Sequence, residues 1–199
     1  DWIYCKNILK VGIPTAVMQG LVSVMGMFIN TVLLAFSSTA VAVFGICTKV
    51  QNLVLIGVNS INTGLIPIVA YNYGAGKKER MNQAVKWALI DSFIVMAVFT
   101  AILEFFPQTV LYLFDASENM SAVGIPALRL MAVSFLLSTV STIMSGYFQA
   151  LGDATYSLFL TLSRQVVLLI IFVEIFSAVG NLELVWSSYI FAELMTIPL

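Results

Sequence analysis

The residues able to do chemistry in this chain sit where charge is least expected, inside long apolar runs. Lys49 falls within a stretch from about Ala40 to Val69, followed by Asn52, Asn59, Ser60 and Thr63. Helical spacing puts Lys49, Asn52, Ser60 and Thr63 near one stripe, with Asn59 beside it. At about 1.5 Å per residue from Ala40, Lys49 lies roughly 14 Å along a helix, near the midplane of a bilayer. A lysine there costs roughly 2.5–3.5 kcal/mol on insertion scales and ordinarily faces a bundle interior or a wet cavity. The plainer alternative is a structural pair with a carboxylate. Upstream, Gln19, Ser23, Gly26 and Asn30 are spaced 4, 3 and 4 apart, again on one helical face. Small residues such as Ser23 and Gly26 suit helix packing as well as a cavity. Amides exceed what packing needs, so Gln19 and Asn30 are read as lining a cavity. Arg164, about nine residues into a later apolar run, is too deep to reach water easily. Arg129 stands one turn beyond Pro126 and fits a rim ion pair or an outward-reaching side chain. Ser134, Ser138, Ser141 and Ser145 repeat at spacings suited to tight helix packing.

Catalytic and metal constellations are missing from the sequence. Histidine is absent, Cys5 and Cys47 are far apart, and no paired carboxylates, nucleophile elbow or phosphate loop occurs. Neither an enzyme nor a metal or cofactor site is expected. A net charge of −1 without a basic patch argues against nucleic acid as a partner.

These side chains need elements to hold them. The 199 residues are 60% hydrophobic and 10% charged, against roughly 25% charged in soluble domains, and mean hydropathy is +1.01. That composition predicts an all-α integral membrane protein whose partner is the lipid bilayer. Six spans are predicted at about 12–35, 41–69, 84–105, 123–149, 155–178 and 183–199. The segment Phe106–Ala122 reads as a short helix lying in the membrane interface. The N-terminal segment, the loop near 70–86 and the turn near 147–156 carry Lys6, Lys10, Lys77, Lys78, Arg80 and Lys86. The opposite turns carry no Lys or Arg, only Glu104, Asp115, Glu118 and Glu183. The positive-inside rule therefore places both ends in the cytoplasm. A start at Asp1 and a stop within an apolar run suggest a piece of something longer.

Between the second and third spans runs Pro67-Ile68-Val69-Ala70-Tyr71-Asn72-Tyr73-Gly74-Ala75-Gly76, followed by Arg80-Met81. This pattern resembles the loop after the eighth helix of the multidrug and toxic compound extrusion (MATE) family. The resemblance extends along nearly the whole chain. Gly12-Ile13-Pro14 and Asn30-Thr31-Val32-Leu33 look like the opening and close of the seventh helix. Gln149-Ala150-Leu151-Gly152 resembles the turn after the tenth, Ser163-Arg164-Gln165 the eleventh, and Val185-Trp186 with Ala192-Glu193 the twelfth.

The resemblance implies a six-transmembrane-helix lobe of a twelve-helix transporter, helices 7–12, partnered by an N-terminal lobe. It implies an antiporter of the plasma membrane that exports cationic or amphipathic small-molecule drugs in exchange for Na⁺ or H⁺. Part of the family couples through carboxylates on the seventh and tenth helices, yet spans 12–35 and 123–149 hold no Asp or Glu. The coupling ion is then expected mainly in the N-terminal lobe. Lys49 stands either as a counter-charge to a carboxylate or as a fixed positive charge lining a cavity. Two other readings stay open: a flippase for lipid-linked oligosaccharides, which needs several cavity cations, and a non-transporting membrane scaffold.

Overall fold

The computed structural model describes residues 2–196; the side chains of Gln19 and several neighbours in the first helix lie outside what is described. Helices follow in the order α1 (Trp2–Phe36), α2 (Ser38–Gly74), α3 (Lys78–Phe105), α4 (Pro107–Tyr112), α5 (Glu118–Ala150) and α6 (Ala154–Leu162). A π-helical stretch, Ser163–Leu168, then joins α6 to α7 (Leu169–Ala178), and α8 (Leu182–Thr196) ends the described chain. In hydrocarbon only a helix or a closed barrel satisfies its own backbone, and these sequences have the apolar length for helices. Ser38–Gly74, Lys78–Phe105, Glu118–Ala150 and Thr155–Ala178 are each long and apolar enough to cross a membrane. The apolar part of α1 is shorter, Gly20–Phe36.

Among the described residues helices lie over the predicted stretches, with differences at their ends; residues 197–199 of the last stretch, 183–199, lie outside what is described. The first begins at Trp2 rather than near residue 12, since a polar helix can run on beyond the membrane. The fifth is interrupted by the wide π turn. The expected interfacial helix shrinks to α4, because Ser117 caps α5 by accepting a hydrogen bond from the Met120 N–H (3.4 Å) and starts that helix early. Leu111 of α4 is fully buried over Gly124, while Tyr112 and Leu113 stand exposed, the two-sided character an interfacial helix needs.

The turns are tight and locally encoded. After α2, Gly76 takes φ +68°, and the Lys77 N–H donates back to the Asn72 carbonyl (2.9 Å), a Schellman closure. The buried Asn72 side chain donates to the Ile68 carbonyl at 2.8 Å and steadies that last turn. The turn after α4 closes in the same way, with Ala116 N–H to the Leu111 carbonyl at 3.2 Å, but places Asp115 at φ +51°. Ser37 alone links α1 to α2, its hydroxyl capping the Ala40 N–H at 3.0 Å.

Helix α5 is the hub, packed on α2, α3, α4, α6 and α8. Its buried Leu128, Met131, Phe135 and Ile143 meet a core that includes Val58, Met96 and Trp186. Phe44 and Trp186 stack at 6.3 Å between ring centres. Of the four serines, Ser134 and Ser138 are buried among packed helices and donate to the carbonyls of Met131 (2.7 Å) and Phe135 (2.8 Å), whereas Ser141 and Ser145 are part-buried and bond to other side chains. Closest approach falls at Gly146, where a Cβ would stand 1.8 Å from the Asn62 side-chain oxygen.

Candidate functional site

Two polar regions emerge, and they share a wall. The first is an outward-facing band on α2. Lys49, Asn52, Asn59 and Thr63 are all exposed and fall within an arc of about 80° at 100° per residue. Pro67 offers no N–H to the Thr63 carbonyl, which leaves an additional acceptor on this face. The Thr63 hydroxyl itself donates to the Asn59 carbonyl at 2.8 Å. Asn30 is likewise exposed on α1. Gln19, also expected here, lies outside the described side chains.

The second region is a partly open cavity of about 190 Å³ between α1, α2, the π segment, α7 and α8. Thr48, Gln51 and Asn52 of α2 face Arg164, Gln165 and Glu193 across apolar walls that include Phe44, Leu55 and Leu169. Asn52 and Arg164 thus meet in one cavity, whereas Lys49, Asn59 and Thr63 do not line it. Gly26 lines this space, and a Cβ on it would meet nothing within 4 Å, so it serves the cavity rather than close packing.

Arg164 is not a bare cation. Its Nη1 donates to Glu193 Oε1 at 2.9 Å, with the two side chains 11% and 12% exposed. Glu193 Oε2 also accepts from the Ser141 hydroxyl at 3.5 Å. Gln165 Oε1 is buried without a hydrogen-bond partner. Further toward the lysine-rich end, Ser157 joins the Ser145 hydroxyl and accepts from Gln149 Nε2 (3.0 Å), so polar contacts continue along α5. At the opposite rim, Arg129 Nε lies 3.7 Å from Glu104 Oε2, both exposed, which is the rim pair its position suggested.

Sequence reasoning passed over Glu193 as a partner. A depth signal was there: Arg164 is ten residues past Ala154, and Glu193 eleven past Leu182 in the antiparallel neighbour. Both therefore sit roughly 15–17 Å from opposite ends, at matched depth.

The fold and its buried pair now have a context. The family model MatE matches residues 14–175. The chain belongs to the MATE family. It is 23% identical over 182 residues to the multidrug export protein MepA of Staphylococcus haemolyticus, covering 92% of this chain and 40% of that protein. With MepA of Staphylococcus saprophyticus it shares 24% over 181 residues, 91% of this chain and 40% of that protein. The MATE-family chain therefore spans about 40% of the length of these relatives.

Solved structures agree. A MATE structure in the straight conformation superposes with a TM-score of 0.91 at 26% identity, over 96% of this chain and 44% of that one. An outward-facing multidrug resistance MATE transporter of the MOP superfamily gives 0.89 at 27% identity, over 95% and 43%. The MATE-family chain is thus an all-helical, multi-pass membrane protein, and its relatives carry the names of transporters rather than enzymes.

Proposed function

We propose that this chain is the C-terminal six-helix lobe of a multidrug efflux antiporter that exports cationic or amphipathic compounds in exchange for Na⁺ or H⁺. The observation that carries the reading is the match of 92% of the chain to proteins named for multidrug export, of which it covers 40%. The exposed polar band of α1 and α2 supports it, because polar groups at membrane depth face protein or water and not lipid. That band faces an N-terminal lobe across the drug path, and the coupling ion binds mainly in that lobe. The transporter lies in the plasma membrane with the lysine-rich end in the cytoplasm. A flippase for pyrophosphate-linked lipids needs several free cations. Arg164 is neutralised by Glu193 within this chain, which weighs toward drug export.

Lys49 takes the counter-charge role in this reading. Among the described residues the ion pairs are Arg129–Glu104 and Arg164–Glu193, so its carboxylate partner lies on the facing lobe. The test is export of ethidium from pump-deficient cells making the transporter that contains this chain. Export that depends on an ion gradient is expected; no export of any cationic dye would overturn the reading. Lys49→Ala should lower cationic-dye efflux and shift its pH or Na⁺ dependence. Retained cationic efflux with loss of an anionic substrate would assign the fixed-charge role instead.

A further inference from the structure

We propose that the groove between α3 and α5 at the lysine-rich end binds an anionic phospholipid, with an acyl chain in the groove and the phosphate on Lys86 and Asn82. The groove is open to the surrounding membrane and offers about 570 Å³, a size comparable to the roughly 300–1,000 Å³ of ligand sites. Its polarity runs along the membrane normal as a lipid's does. Asn82 and Lys86, one turn apart, lie toward the start of α3, and Tyr147 lies near the end of α5, so all three stand at the lysine-rich end. Leu89 and Met144, deeper on the same two helices, are apolar and rest on the hydrophobic core. The head end is therefore polar and cationic, and the tail end dry.

Charge selects the headgroup. Lys86 belongs to neither ion pair found among the described residues, so its ammonium is available to a phosphate. With Lys86, the cations Lys77, Lys78 and Arg80 outnumber the nearby acidic groups, Glu79 and Asp91 of α3 and Asp153 after α5, and keep the field there positive. A choline or ethanolamine head would bring a cation into that field, whereas a glycerol head would not. The face is also one that lipid reaches: beyond the groove, Phe93 is exposed on the same face of α3 with Ile94 beside it, in contrast with the polar band of α2.

The test is native mass spectrometry of the assembled transporter titrated with phosphatidylglycerol or phosphatidylcholine of identical chains. Phosphatidylglycerol adducts should be favoured in the wild type. Lys86→Gln should weaken them about fivefold while leaving phosphatidylcholine unchanged. Leu89→Trp, which fills the groove, should remove the retained lipid of either kind. Lys78→Gln, off the groove at the same end, should reduce the preference much less than Lys86→Gln. Equal retention of the two lipids overturns the proposal, as does an unaffected Lys86→Gln. So does a loss as large in Lys78→Gln, which would mean a diffuse surface charge, or a dimer mass replacing the lipid adducts, which would mean that a second copy fills the groove.

Discussion

At the scale of single residues, the chain carries two contacts that leave no room for adjustment. The Asn62 amide lies against the bare Cα of Gly146, and its oxygen is buried without a hydrogen-bond partner. Gly146→Ala should therefore force α2 and α5 apart and destabilise by about 1–3 kcal/mol, read as a lowered melting temperature in detergent. Adding Asn62→Ala to it should restore most of the loss; an additive double variant would dismiss the contact. The second is Arg164–Glu193. Removing one partner leaves a buried, uncompensated charge, so Arg164→Met should cost about 3–5 kcal/mol. The double change Arg164→Met, Glu193→Leu should recover much of that stability. A double variant no better than the single one would mean that the pair is not the source.

Among the elements, what could be read from sequence and what could not divide along a physical line. Spans and the interfacial helix depend on composition and short-range spacing, and Lys49, Asn52, Asn59 and Thr63 share a face because 3.6-residue periodicity requires it. Depth alone left Arg129 either a rim pair or an outward-reaching side chain, and the structure shows the pair with Glu104. The Arg164–Glu193 pair joins residues 29 apart whose helices must first be packed, and periodicity says nothing of packing. Nor does any local signal mark the π turn, since Ser163–Leu168 contains neither glycine nor proline. That turn nevertheless aims Arg164 and Gln165 at the cavity. Deleting Val166 should let α6 and α7 run on as ordinary α-helix and take Arg164 and Gln165 out of the widened turn that now carries them. Helicity by circular dichroism should hold while the melting temperature falls as in Arg164→Met; an unchanged melting temperature would show the wide turn to be dispensable.

For the whole molecule, orientation and completeness are the matters to test. Cys5 is exposed at the lysine-rich end, and Cys47 is fully buried. A membrane-impermeant thiol reagent should spare Cys5 in intact cells and label it in inside-out vesicles. In a Cys5→Ser background, a cysteine at Ser117 should label in intact cells and one at Lys78 should not. The reverse pattern would invert the topology. The polar band on α1 and α2 predicts a second dependence. Produced without a facing lobe, residues 1–199 should give no drug efflux and melt early in detergent, and robust efflux from them would dismiss the two-lobe reading.

The single residue between α1 and α2 has a mechanical consequence. Ser37 is a pivot, and α1, with 35 residues, is a lever about 52 Å long. A tilt of about 10° there carries the far tip some 9 Å. The same swing moves Gly26, eleven residues from the pivot, by only about 3 Å. Gly26 is part of the wall of the cavity that holds Arg164 and Glu193. The opposite ends of α2 and α3 are clamped by the Schellman turn at Gly76, so they cannot give in the same way. Because α1 also packs on α6 and the π segment, any such tilt would have to slide over them, and a large excursion at the lysine-rich surface would be geared down to a small breathing of the space around the buried pair.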